Sequence, residues 1–162
     1  MMDFYDQNAI LSRLDKNNIS YQNHSHEALF TVEQAKVIEH SIHCTHTKNL
    51  FIKSKKWQFA MITIIASKKL DSKFFREQTW FGDFSFASPE NLRDQIKIKP
   101  WSVGIFGLLN NPDIKLYIDK DIRNAEFVGR HPNDNTATAV INHEWLSSYL
   151  SVLGISYDII SV

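Results

Sequence analysis

An α/β domain built on one mixed sheet is the fold class predicted by three features of the 162-residue chain. Apolar runs of strand length, such as Asn49–Lys53 and Trp57–Ile65, alternate with stretches whose apolar residues recur at helical spacing. Helix-start signals stand between those runs, at Thr31 and Ser88. No internal repeat, low-complexity tract or Gly/Ser/Pro-rich linker interrupts the order, and the five glycines and four prolines fall at plausible turns. The pattern predicts one domain over residues 1–162, with a mixed, largely antiparallel sheet of six to seven strands flanked by helices.

Each element has a local cause. Phe4, Ile10, Leu11 and Leu14 share a face of a helix from about Phe4 to Lys16, which Asn17-Asn18 ends before a strand at Ser20–His24. Thr31-Val32-Glu33-Gln34 is a capping box that starts a helix reaching about Glu39. Asn49–Lys53 and Trp57–Ile65 form an antiparallel hairpin across Ser54-Lys55-Lys56. Asp71–Phe81 reads as a helix with Leu70, Phe74, Phe75 and Trp80 partly buried, followed by a short strand at Phe84–Phe86. Ser88-Pro89-Glu90 opens the next helix, because serine caps free amides and proline is tolerated at the first helical position. After the loop Trp101–Asn111 come strands at Lys115–Ile118 and Glu126–Gly129, a helix His143–Leu153 between Asn142 and Gly154, and a strand over Ser156–Val162.

Composition narrows the function. Hydrophobic and charged contents of 43% and 22% are those of an ordinary globular protein. Eighteen basic against eighteen acidic residues give no overall field for gripping long nucleic acid, so DNA is not an expected partner, while local contact with one RNA end stays open. Cys44 is the only cysteine, which excludes an intramolecular disulfide and fits a reducing compartment. The N-terminus lacks a basic and an apolar leader region and no run approaches about 18 apolar residues, so a cytoplasmic protein without membrane contact is expected.

The densest chemistry lies in His46-Thr47-Lys48-Asn49, just before the apolar Leu50-Phe51-Ile52. Four consecutive polar groups at the mouth of a strand make a site or a solvated loop, and spacing alone does not choose. An ammonium there attracts a phosphate or a carbonyl oxygen becoming anionic, and repels a protonated amine. Lys55, Lys56, Lys68 and Lys69 lie at turns, where they either meet phosphates or are simply solvated. His24-x-His26 and His43-Cys44-x-His46 lack a paired Cys-x-x-Cys or His-Glu-x-x-His frame, so neither a metal nor another cofactor is expected. No nucleophile elbow surrounds a serine, Cys44 reads as a small buried residue, and Asp119, Asp121 and Glu126 fall in what reads as a solvent-facing turn and strand.

Two motifs carry a resemblance. His46-Thr47-Lys48-Asn49-Leu50-Phe51 and His131-Pro132-Asn133-Asp134-Asn135-Thr136-Ala137-Thr138 resemble the paired signatures of the prolyl-tRNA synthetase-associated editing domains of the YbaK/ProX type. Phe30-Thr31 with Ala35, and Phe86 to Leu92, are similar to further family segments. The resemblance runs from about Ile10 to Val162 and implies that fold and a freestanding deacylase that hydrolyses mischarged aminoacyl-tRNA without a metal.

It also implies roles. Lys48 becomes the catalytic residue, and Phe30, Thr31, Asn49, Phe106, Gly107, His131, Asn135 and Thr136 become substrate-binding. His131 before Pro132 is by its own chemistry either a substrate contact or a surface turn, and Asn135 and Thr136 either bind the ribose or satisfy their own backbone. Family members carry Gly-x-x-x-Pro before Phe-Gly-Leu, whereas this chain has Trp101 and Ile105 there and keeps Phe106-Gly107-Leu108. Two bulky residues are consistent with a tight amino-acid pocket if both point inward.

The implied partners are the acceptor end of mischarged tRNA and, with it, prolyl-tRNA synthetase. A synthetase built for proline rejects smaller alanine by only about 1–3 kcal/mol, so a second, smaller pocket has work to do. Alanine on proline tRNA is therefore the expected substrate. The alternative is a binding module of the same fold that holds tRNA or a synthetase without hydrolysis.

Overall fold

A computed structural model describes residues 5–142, 150–151 and 153–162. In chain order it runs α1 (Gln7–Lys16), β1 (Tyr21–Ser25), α2 (Val32–Ser41), β2 (Thr45–Ser54), β3 (Phe59–Ile65), α3 (Ser72–Thr79), β4 (Phe84–Phe86) and α4 (Pro89–Ile96). Two short 3-10 turns, Pro100–Ser102 and Ile105–Asn110, lead to β5 (Lys115–Asp119). A third, Lys120–Asn124, precedes β6 (Phe127–Arg130), β7 (Ala137–Asn142) and β8 (Tyr157–Ile160). The helix expected over His143–Leu153 lies, apart from Leu150, Ser151 and Leu153, outside the described residues. No helix among the described residues is long and apolar enough to cross a membrane.

Helix starts follow the sequence chemistry. Asp6 and Asp71 accept from the amides of Ala9 and Phe74, at 2.8 and 2.9 Å, and so cap α1 and α3. Thr31 and Ser88 head capping boxes with Gln34 and Asn91. Trp80 closes α3 in a left-handed conformation (φ 57°) and its ring is 90% exposed, so the expectation of a partly buried Trp80 is corrected. Phe75 takes the buried place, edge-on to Phe84 and Tyr117 at 5.4 and 5.2 Å.

The strands form a mixed sheet in the order β1-β7-β6-β2-β3-β5-β8, with β4 also on β2. It has eight strands; β7 is the one that periodicity did not announce, because Ala137, Thr138 and Ala139 lack the bulky apolar alternation of a strand and stand inside a motif rich in turn formers. Pairing recruits them from both sides: β7 runs antiparallel to β1 (His24 opposite Thr138) and to β6 (Arg130 opposite Ala139). The hairpin β2–β3 is antiparallel, with Lys48 opposite Ile64, while β2–β6, β3–β5 and β5–β8 are parallel.

Alternation along the strands sorts the core into two layers. Phe51, Met61, Leu116, Val128 and Ile141 pack with α1, α4 and the Ile105–Asn110 turn on one side. Leu50, Ile52, Ile62, Ile64 and Tyr117 pack with Phe75 of α3 on the other.

What positions the site is a gap in the pairing of β2. On the edge away from β3, β6 pairs only with Thr45 and His46, and β4 only with Ile52 to Ser54. Among the described residues no strand lies beside Thr47 to Leu50 on that edge. Polar residues there have main-chain and side-chain groups to offer to something other than the sheet.

Candidate functional site

A cleft of about 490 Å³ opens where β2 and β6 part, roofed by α2. Its walls include His46, Lys48 and Asn49 of β2, Gly129 and Arg130 of β6, His131, Thr138 of β7, Thr31, Ala35 and Glu39 around α2, and Trp101.

Lys48 is half-buried on the cleft wall, and among the described residues its ammonium has no hydrogen-bond or ion-pair partner. The adjacent Asn49 also borders the cleft, but its side-chain amide is spent on structure. Its amide donates to the Val103 carbonyl (3.2 Å) and its carbonyl oxygen accepts from the Thr63 hydroxyl (2.7 Å), so it fastens the Pro100–Asn110 segment across the unpaired edge of β2. Gly104 lets that segment close up: a Cβ there would stand 2.9 Å from the His131 carbonyl oxygen.

His131 is a cleft residue rather than a surface turn. Its Nδ1 lies 2.8 Å from the Ala137 carbonyl, and since a carbonyl only accepts, Nδ1 carries the proton and Nε2 is left with its lone pair. Burial pushes its pKa below the ordinary 6.5, against the Ala137 hydrogen bond that raises it, with His26 pushing the same way as burial. The ring is therefore neutral at pH 7, and its Nε2 is an acceptor or base. His26 stands edge-on at 6.2 Å, with Nδ1 on the Glu27 carbonyl and Nε2 accepting from Thr138 at 2.9 Å. His46 donates from Nε2 to the Ile42 carbonyl at 2.9 Å.

Cys44 contacts His46 (Sγ to Nε2 3.5 Å), yet burial pushes its thiol up to about 11, so it stays protonated and unreactive at neutral pH. Histidines thus gather near the cleft, but among the described residues no group of three or more His, Cys, Asp or Glu is placed to hold a metal ion.

Not every expected residue reaches the cleft. Thr31 lines it, although its hydroxyl accepts from Gln34 as the α2 cap, and Phe30 stands at the rim. Phe106 and Gly107 are fully buried in the core instead; a Cβ on Gly107 would meet Ile98 at 3.0 Å, so the glycine serves packing. Ile105 likewise faces the core, and only Trp101 of the two bulky replacements lies on the cleft. Asn135 donates to the Leu29 carbonyl (3.1 Å) and Thr136 to the Asp134 carboxylate (2.7 Å), which makes them braces of the loop that carries His131.

Of the three carboxylates read as solvent-facing, Glu126 is exposed and Asp121 partly so, while Asp119 needs correction. Asp119 is fully buried and accepts from Lys68 at 2.7 Å, with Asp121 on the same ammonium at 2.9 Å. Lys68 is therefore not available to a phosphate. Burial works against its charge, but the two carboxylates outweigh this and raise its pKa, while Lys68 holds the Asp121 carboxyl below the usual range.

Residues to which the sequence assigned no role are His46, Thr138 and Arg130 on the cleft and His26 beside His131. Alternation gives a signal for one of them, since His46 lies two positions before Lys48 on β2 and shares its face. Arg130 is 2% exposed, and its guanidinium nitrogens have no partner among the described residues, which leaves a positive charge beneath the cleft wall.

A cation without a partner among the described residues, a neutral histidine with an open lone pair and a cleft at a gap in a mixed sheet together suit an anionic or ester-bearing ligand. The chain belongs to the aminoacyl-tRNA editing domain family, whose model matches residues 26–147. It is 28% identical to the prolyl-tRNA editing protein ProX of Acetoanaerobium sticklandii, over 99% of this chain and all of that protein. Solved structures share the fold: a candidate trans-editing enzyme for prolyl-tRNA synthetase (TM-score 0.72, 15% identity, 96% of each chain) and a hypothetical protein (TM-score 0.73, 13% identity, 91% of this chain and 95% of that one).

Proposed function

We propose that the chain is a freestanding trans-editing deacylase, acting in the cytoplasm on mischarged tRNA and chiefly on alanine carried by proline tRNA. One observation supports this reading above the rest: the Lys48 ammonium, without a partner among the described residues, shares a cleft with the neutral His131. An aminoacyl ester is already reactive, so orientation and oxyanion stabilisation suffice without a triad or a metal.

Water attacks the ester carbonyl, the carbonyl electrons move onto oxygen, and Lys48 stabilises that oxyanion or holds the neighbouring terminal phosphate. Collapse breaks the bond to the ribose oxygen, which takes a proton, while the amino acid leaves as its carboxylate. His131 Nε2 accepts a hydrogen bond from the attacking water or from the ribose hydroxyl beside the ester. Thr138, His26 and His46 shape the wall behind it.

Alanine, serine, cysteine and proline esters of proline tRNA, incubated with the protein, test the assignment. Alanine should be released fastest and proline slowest. Tight tRNA binding without turnover of any ester would instead select the non-hydrolytic module.

A further inference from the structure

Trp101 and Phe30 are an anomaly at the cleft mouth. Their rings meet edge-on at 6.5 Å, yet each remains more than half exposed, 52% for Trp101 and 56% for Phe30. Neither ring is left out for want of a fixed backbone. The amides of Phe30 and Thr31 both donate to Gln34 Oε1, at 2.8 and 3.1 Å, and the Leu29 carbonyl is held by Asn135. Trp101 sits in the Pro100–Ser102 turn between the buried Ile98 and Ser102, and the Asn49–Val103 bond and the Gly104 contact with His131 pin the segment just beyond it. Two rigidly mounted aromatic surfaces face solvent beside a cleft.

We propose that Phe30 and Trp101 form a stacking platform for the 3′-terminal adenine of the tRNA, adjoining the cleft that takes the ester. The ligand's identity rests on the deacylase reading; the platform itself rests on the rings. A single-stranded RNA end is bound by a positive groove for its backbone and exposed aromatics for its bases. Here the cleft carries Lys36, Lys48 and the buried Arg130 against Glu39 alone, so its charge complements a phosphodiester. The rings lie at its rim, where the base attached to an ester-bearing ribose would emerge. Trp101 thereby acts on the base, and Ile105, buried in the core, does not narrow the cleft.

The full-length protein is titrated with the trinucleotide cytidylyl-cytidylyl-adenosine and with the same molecule bearing an abasic terminal ribose, followed by tryptophan fluorescence and by chemical-shift changes. The adenine should tighten binding at least about tenfold, Trp101→Ala should abolish that preference, and Trp101→Phe should keep most of it. Equal binding of the two trinucleotides, binding of neither, or an undiminished preference in a folded Trp101→Ala protein overturns the platform. Because neither probe carries an ester, the outcome is separate from hydrolysis. Ester turnover without base preference removes the platform and leaves the deacylase, whereas base preference without turnover does the reverse.

Discussion

Lys48 and Lys68 flank the same hairpin, one on β2 and one just past the end of β3, and they have opposite fates. Lys68 is bound by Asp119 at 2.7 Å and Asp121 at 2.9 Å, a closed set of charges that ties the end of β3 to the turn after β5. Lys48 faces a cleft and has no partner among the described residues. Paired charge is structure; unpaired charge beside a cavity is capacity for a ligand. The two substitutions should therefore part cleanly. Lys48→Ala should lower deacylation of alanine-charged proline tRNA by about 100-fold or more, as loss of an oxyanion-stabilising group does, and leave thermal stability nearly unchanged. Lys68→Ala strands the buried Asp119 and should lower stability by about 3 kcal/mol in urea, with activity of the folded fraction retained. Equal hydrolysis by wild type and Lys48→Ala would remove Lys48 from the mechanism.

The contrast explains what could be read from the chain beforehand. Helix caps at Thr31 and Ser88 and the hairpin after Lys48 are local, set by residues three or four apart, and the sequence announces them. The burial of Asp119 was hidden because its partner lies 51 positions earlier, and nothing in Asp119-Lys120-Asp121 separates an ion pair from a solvated turn. Strand β7 was hidden for a related reason, since its register depends on β1, more than a hundred residues away. In the site, Lys48 and His131 were legible from their motifs. Asn135 and Thr136 of the His131 motif brace its loop, and Phe106 and Gly107 of the separate Phe106-Gly107-Leu108 stretch lie in the core, a distinction that only packing makes.

A smaller effect tests whether the cleft depends on its far wall. Gly104→Ala places a Cβ 2.9 Å from the His131 carbonyl oxygen, a backbone atom that cannot swing aside. The Pro100–Asn110 segment must shift, at about 1–3 kcal/mol, and deacylation should fall with it because His131 moves too. Urea unfolding and steady-state kinetics on one preparation measure both. Loss of stability with unaltered kinetics would uncouple that segment from the site.

His131 adds a pH dependence of stated sign. Burial holds its folded-state pKa below 6.5, so Nε2 keeps its lone pair as pH falls to 6.5 and loses it only lower. The acid limb of kcat/KM should accordingly lie below pH 6.5. Linkage gives stability the same direction: the unfolded chain binds the proton first, so stability is fully present above 6.5 and declines as pH drops through the folded-state value. An acid limb above 6.5 would assign the titration to another group.

The smallest expected effect concerns the residue that most resembles a nucleophile. Cys44 touches His46 at 3.5 Å, as a catalytic thiol touches its base, but burial pushes its pKa up to about 11 and the Gly129 backbone hydrogen bond only partly opposes this. At pH 7 the thiol keeps its proton, and the cysteine's neighbours are packing contacts: a Cβ on Gly129 would stand 2.8 Å from its sulfur. Cys44→Ala should leave deacylation within about twofold of wild type and lower stability by about 1 kcal/mol for the lost contacts. Alkylation by iodoacetamide should be slow at pH 8 and accelerate only as pH approaches 11. Rapid alkylation at pH 7 that abolishes ester hydrolysis would transfer the chemistry from the Lys48 ammonium to the thiol.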